Sequence, residues 1–292
     1  MIRNLAFKGG GVLGIAYVGV LKVLGDKGLL KYATRFAGTS AGNIIATLQA
    51  VGYTPDEIHS IMTTVQLPLF EDAHGWLGEI AGELSSLHGL YRGHYFQSWI
   101  EGLIKAKIGK DKATYQDIYG ATGNELYTVV SNINTGNIEV LNYKDNPKRI
   151  ASEGARASMC VPFVFDKFSF TQGGSTTDQY WDGGIAMNYP LPVFDDQPLE
   201  ETLGLFLHDT GNKGGSLPVH GLLNSAKAAF NLAVNGQSLV TLKSARAMSV
   251  TMKVNNLGYD ALNFGISQTY QTAIYESGIE SANDYFHETE ER

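Results

Sequence analysis

Residues 2–51 constrain most tightly what this chain can fold into. Ile2–Lys8 is a short apolar run of strand character, and Gly9–Gly14 follows it directly. Ile15–Leu24 is then apolar at helical spacing until Gly25–Gly28 stops it. Arg35-Phe36-Ala37 has the character of a strand end, and Asn43–Val51 reads as a helix. Between them stands Gly38-Thr39-Ser40-Ala41-Gly42, a G-x-S-x-G pattern. In that setting the serine sits on a sharp strand-to-helix turn, its hydroxyl lifted off the sheet and neighbouring N–H groups facing the reacting atom. Side chains at the flanking positions would crowd so tight a turn. Strand, glycine loop, helix, strand, serine turn, helix is the opening of a parallel α/β sheet. The expected fold is a three-layer α/β/α sandwich around a central, mainly parallel sheet.

The rest of the chain fits that class. Thr54-Pro55-Asp56-Glu57 opens a further helix with a capping residue, a first-turn proline and two acids at the positive end. Gly93–Ile108 is helical, and Thr114-Tyr115-Gln116-Asp117 resembles a capping box. Glu125–Ile133 and Asn137–Tyr143 read as a hairpin closed by Asn134-Thr135-Gly136. Pro147–Met159 reads as a helix, Phe163–Phe170 as strand-like, and Leu203–Leu207 as a buried strand. His220–Val254 holds one or two helices and then a short strand from Ser249. The tail from Gly278 is acidic and is expected to fray. Leu67–Arg92, with Phe70, Trp76 and Tyr91, breaks the helical pattern; it is either a core-packing insertion or a lid over an apolar pocket.

Length and charge exclude several classes. With 292 residues there is room for one large domain or two small ones. No repeat or linker divides the chain. One domain over 1–292 is expected, with a motif-bearing core of about 2–197 and a C-terminal extension of about 198–292. A 43% hydrophobic and 17% charged composition calls for a packed core. The net charge of -7 lacks the basic footprint of a nucleic-acid binder. It also gives no general attraction to anionic lipid, so membrane contact would rest on local apolar surface. The single cysteine, Cys160, forms no internal disulfide and no zinc spacing. No signal peptide is read at Met1-Ile2-Arg3-Asn4, and no apolar run reaches about 18 residues. A cytoplasmic location is expected, with leaderless export left open.

Three groups of residues carry candidate chemistry. Gly9-x-Gly11-x-x-Gly14 has the form of a dinucleotide fingerprint. That reading also needs an acidic residue about 20 positions on, at the end of the next strand. The strand ends at Arg35-Phe36-Ala37-Gly38, with no carboxylate. Backbone N–H groups at a helix start suit the oxyanion of a tetrahedral intermediate equally well. Ser40 is the second candidate, as a nucleophile or as a plain helix cap. The third is Asp182-Gly183-Gly184. A serine hydroxyl needs a base within hydrogen-bond reach, and a desolvated carboxylate of raised pKa serves.

Together, in this order, the three groups resemble the patatin-like phospholipase family over about residues 2–197. Gly9–Gly14 matches its oxyanion loop, Gly38–Gly42 its nucleophile elbow, and Asp182–Gly184 its dyad aspartate. Ala155–Phe163 and Asn188-Tyr189-Pro190-Leu191 are similar to the segments that flank the family's aspartate. One position departs: the family usually has Arg or Lys before the last glycine of the loop, and Leu13 stands here. The backbone donors are unaffected by that change.

The resemblance implies a lipid acyl hydrolase of phospholipase A or lysophospholipase type without a histidine. Ser40 attacks, Asp182 is the base, and N–H groups around Gly10, Gly11 and Val12 hold the oxyanion. It implies a phospholipid or other acyl-lipid substrate, allows peripheral membrane contact, and calls for no cofactor or metal. It specifies no activating protein partner.

Competing readings use other residues. Ser40, Asp182 and His208 occur in the chain order of an α/β-hydrolase triad, and His208 follows a buried strand. The glycine loop, however, lies only one βαβ unit before the serine. A carrier-protein acyltransferase would need a histidine base and an arginine for the acid group, and Arg156 is the one that invites the role. A non-catalytic nucleotide-binding or regulatory module would keep the loop alone. His59, His74, His88, His94, His220 and His287 have no metal-ligand spacing. Leu222, Leu223, Ala226, Phe230, Ala233 and Val234 form an apolar stripe that, with Leu67–Arg92, is expected to border an acyl channel.

Overall fold

The computed structural model describes residues 1–72, 89–208 and 221–290. Among these, seven strands form one sheet: β1 (Asn4–Phe7), β2 (Arg35–Thr39), β3 (Glu125–Asn132), β4 (Asn137–Leu141), β5 (Tyr180–Asp182), β6 (Thr202–His208) and β7 (Thr251–Asn255). Their order is β4-β3-β2-β1-β6-β7, with β5 also on β3. β3, β2, β1, β6 and β7 run parallel, whereas β4 and β5 pair antiparallel with β3.

Side-chain alternation along the strands divides the core into two faces. Leu5, Phe7, Phe36, Leu203, Leu205 and Leu207 face one cluster. Ala6, Ala37 and Phe206 face the other. The first face is covered by α1 (Ile15–Asp26), α2 (Ala41–Ala50), α3 (Pro55–Thr64), α4 (His94–Ile108) and α6 (Ala151–Ser158), all of which contribute buried side chains. Tyr189, Leu191 and Phe194 cover the second, together with Ala247 and Val250 of α9 (Ala245–Val250). The fold is the expected α/β/α sandwich. The capping box at Thr114 forms as read, and Thr54, read only as a capping residue, closes a full box with Glu57 as well. They start α3 and α5 (Tyr115–Thr122).

β5 has an unusual place. β4 takes one edge of β3, at residues 128–132, and β2 takes the other edge at residues 125–129. β5 pairs with β3 at residues 130–132 and therefore uses the edge that β2 has just left. Thr39 lies opposite Val129 and Asp182 opposite Val130. The two strands approach end to end along one lane, from opposite directions.

Two expectations are corrected. Phe163–Phe170 is not a strand; among the described residues its β-pairing is limited to single bridges, Phe165 to Tyr91 and Phe168 to Tyr180. Phe163 has φ 65°, which breaks an extended run at its start. The segment is apolar because Val164, Phe165 and Phe170 are buried core residues. Nor does the tail fray from Gly278: α10 (Gln268–Glu290) runs through it. Its Ile274 and Ala282 are fully buried, Ser277 Oγ donates to the Asn255 carbonyl (2.9 Å), and Ser281 Oγ accepts the Asn255 N–H (3.0 Å). Glu280, Asp284 and Glu288, acids that suggested fraying, occupy its solvent side. Most of Leu67–Arg92, including Trp76 and His88, lies outside the described residues.

Candidate active site

Ser40 terminates β2 and precedes α2 with φ 52° and ψ -128°. That is a rare, strained conformation for a residue with a side chain, and it lifts the hydroxyl out of both elements. The turn closes only because its flanking residues lack a Cβ. One at Gly38 would lie 2.4 Å from Asn43 Cα, and one at Gly42 would lie 2.3 Å from the Phe7 carbonyl oxygen. Ser158, at the end of α6, stitches the turn to β3. Its Oγ accepts the Ser40 N–H (2.9 Å) and donates to the Val129 carbonyl (2.7 Å).

Asp182 ends β5 in the same lane and is fully buried. Its backbone is fixed on both sides: its N–H donates to the Cys160 carbonyl (2.8 Å), and its carbonyl accepts Ser131 Oγ (3.0 Å). Oδ1 accepts the Gly184 N–H at 2.6 Å. Oδ2 has no fully formed hydrogen bond, although the Ser40 hydroxyl acts on the carboxyl as a stabilising neighbour. Burial pushes Asp182 up to about 7, with Ser40 and the Gly184 N–H opposing that rise. A carboxyl of that strength can accept a serine proton near neutral pH.

The glycine loop enters from β1. Gly9 N–H donates to the Asn188 carbonyl (2.9 Å), and Asn188 Nδ2 donates back to the Gly9 carbonyl (3.4 Å). Asn188 follows α7 (Gly184–Met187), so the loop is tied to the segment just beyond Asp182. Gly10 and Gly11 line the same cavity as Ser40 and Asp182. Val12 differs from expectation: its N–H already donates to the Ala261 carbonyl at 2.9 Å. An oxyanion meets that third donor only when Ala261 yields it. Gly14 lies farther along the loop, against the Ala41 side chain; Gly183 packs against the Val129 carbonyl, behind the carboxylate.

Two cavities meet at Ser40, Gly11, Val161 and Leu262. One, of about 540 Å³, is apolar, with Ile45, Met62, Leu67, Phe70 and Phe264 among its walls. The other, of about 880 Å³, is mixed in character and holds Lys8, Asp182, Asn188, Asn231, Asn235 and Tyr259. Phe230 and Val234 of α8 (Gly221–Leu242) line the second cavity, while Ala233 is exposed; Leu222, Leu223 and Ala226 have side chains outside the described set. Of the expected stripe, Phe230 and Val234 thus border the mixed cavity rather than the apolar one. Leu67 and Phe70 do border the apolar cavity.

The competing sites are not assembled in the same way. His208 ends β6, two strands from β2, and lines neither cavity. Arg156 is buried and holds the loop around it, donating to the Arg92 and Asp166 carbonyls and to Cys160 Sγ. It lines neither cavity, so an acid group in them would not meet it. His59 stacks near Tyr275, and His74, His88 and His220 lie outside the described residues. Among the described residues no group of three or more His, Cys, Asp or Glu side chains could hold a metal, and no helix is long and apolar enough to cross a membrane.

Comparison with known proteins bears on the same residues. The patatin-like phospholipase family matches residues 5–195, which include the loop, the elbow and the aspartate. The chain belongs to that family. It is 32% identical to YqhO of Bacillus subtilis over 212 residues, covering 69% of each chain. It is 29% identical to protein R571 of Acanthamoeba polyphaga mimivirus over 288 residues, covering 96% of this chain and 92% of that one. Among solved structures, VipD of Legionella pneumophila superposes with a TM-score of 0.63 at 16% identity. That superposition covers 97% of this chain but only 66% of VipD, and at such identity it speaks to the fold alone. Family membership gives lipid hydrolysis as the general activity. Sequence reasoning does not single out Ser158 or Lys8 as site residues; the available signal for Ser158 is a hydroxyl at the end of the small-residue run Ala155-Arg156-Ala157-Ser158.

Proposed function

We propose that this chain hydrolyses carboxylic esters of phospholipids or lysophospholipids, as a phospholipase A or lysophospholipase, through Ser40 and Asp182. The observation that carries the reading is the end-to-end approach of β2 and β5 along β3. It brings a strained serine and a buried carboxyl of raised pKa to one point. Ser40 Oγ attacks the ester carbonyl as Asp182 takes its proton. The oxyanion forms against the N–H groups of Gly10 and Gly11, with Val12 joining once Ala261 releases it. Collapse expels the alcohol, which takes the proton from Asp182. Water, deprotonated by Asp182, then attacks the acyl-enzyme and frees the fatty acid and Ser40.

The apolar cavity suits the acyl chain, and the mixed cavity suits the alcohol side of the ester. Because β6 and β7 from the C-terminal segment complete the same sheet, we treat residues 1–292 as one domain. The test is labelling by a fluorophosphonate probe, followed by mass spectrometry of lipid products. The reading expects label on Ser40 and release of free fatty acid. Fatty acid release that persists in Ser40→Ala at the wild-type rate would sink it.

A further inference from the structure

Among the described residues Lys8 is the one cation lining the mixed cavity, and the mechanism above does not use it. It follows Phe7 at the end of β1, so its side chain turns to the sheet face opposite Phe7 and lies over the Phe206 ring, 5.1 Å from the centroid. It is only 7% exposed. Its Nζ makes one long hydrogen bond, to the Gly9 carbonyl at 3.3 Å. No carboxylate among the described residues pairs with it. An ammonium has three donors, and a buried one without a counter-charge is costly. Burial pulls Lys8 down to about 8, so it still carries its charge at neutral pH. The other ionisable side chains among the described residues of this cavity are Asp182, beside Ser40, the exposed Asp260 and the Tyr259 phenol.

We propose that Lys8 is the phosphate-binding residue of the alcohol-side cavity, and that it makes this chain select phospholipid esters over neutral acylglycerols. The assignment rests on the ester-hydrolase reading of the same site. In a glycerophospholipid the phosphate lies a few bonds from the ester carbonyl, on the alcohol side. An acyl chain in the apolar cavity and a carbonyl at Ser40 direct that phosphate into the cavity that holds Lys8. A charge-assisted bond there satisfies the ammonium. A neutral acylglycerol leaves it buried and unpaired, and a site built around such a group rejects the ligand that lacks the partner.

The experiment compares kcat/KM on lysophosphatidylcholine and on a monoacylglycerol of the same acyl chain, in identical mixed micelles. Wild type is expected to prefer the phospholipid by about tenfold or more. In Lys8→Met that preference should fall by about tenfold, and Lys8→Arg should keep most of it. A preference unchanged within about twofold in Lys8→Met overturns the proposal. The melting temperature separates a structural role: removing an unpaired buried charge should not lower it, whereas a structural lysine would be missed. Lys8→Gln serves if Lys8→Met does not fold.

A second measurement is independent of turnover. Calorimetry on Ser40→Ala should detect saturable binding of glycerophosphocholine, lost when Lys8→Met is added. Binding of inorganic phosphate without glycerophosphocholine marks a free-anion site and overturns the lipid assignment. If wild type cleaves no ester, the hydrolase reading fails, and this binding result still decides the role of Lys8.

Discussion

The two cavities that meet at Ser40 share Gly11, Val161 and Leu262 beside it, and differ in the rest of their walls. The apolar one is walled mainly by α2, α3 and the segments around Phe70 and Phe165, with Leu262 and Phe264 added from the C-terminal part. The mixed one takes its outer wall from α8 and residues 256–262, beyond the 5–195 family match. On the proposed function, chain-length tolerance and alcohol-side selectivity are therefore built by different parts of the polypeptide. The family region carries the proposed chemistry and most of the acyl side. The extension carries much of what would meet the rest of the substrate.

Changes at the junction should act on both sides alike, and have the largest effect. Ser40→Ala and Asp182→Asn are each expected to lower kcat by about a thousandfold or more on phospholipid and on a soluble short ester. A loss confined to one substrate class would break the idea of a shared centre.

The pH profile comes next in size. Asp182 acts as base only when ionised, so kcat/KM should fall about tenfold per pH unit below about 7 and level off above it. The stability effect has the opposite sign. Folding raises this carboxyl above its unfolded value of 3.8, so its favourable contribution is full below 3.8 and is lost as pH rises through about 7. Asp182→Asn should therefore raise the melting temperature at pH 8 and change it little at pH 4. A mutant less stable at pH 8 than wild type would contradict the burial argument.

Single-cavity changes should be smaller and one-sided. Met62→Phe narrows the apolar cavity and should shift the ratio of long-chain to short-chain ester turnover downward by about fivefold, at a stability cost of about 1–3 kcal/mol. Headgroup preference should hold. Asn235→Leu alters only the mixed cavity and should change headgroup preference by about two- to threefold, with chain-length preference intact. If each mutation moved both ratios together, the two cavities would be one functional space.

Much of this was legible in the sequence because it is local. β1, the glycine loop, α1, β2, the elbow and α2 follow from hydrophobic period and glycine placement within fifty residues. The capping boxes at Thr54 and Thr114 are equally local. What could not be read is long-range. No pattern in Tyr180-Trp181-Asp182 says that it pairs with Val130–Asn132 on the edge vacated by β2. The Ala261 carbonyl reaches Val12 from about 250 residues away in sequence, and no rule of spacing predicts that contact. Phe163–Phe170 misled because burial and strand pairing give the same apolar run. The Lys8 side chain packs over Phe206 of β6, a partner its own neighbours in sequence do not reveal.

The shared lane along β3 makes the proposed pair a matter of counting residues. Ser40 follows the residue opposite Val129, and Asp182 faces Val130, so one strand acts as the ruler for both. Loops on either side can lengthen without altering the gap. A slip of one residue in β5 cannot be absorbed, because side chains alternate and Asp182 would turn to the far face of the sheet. Engineering of this scaffold should leave the β3–β5 register alone and place its insertions elsewhere.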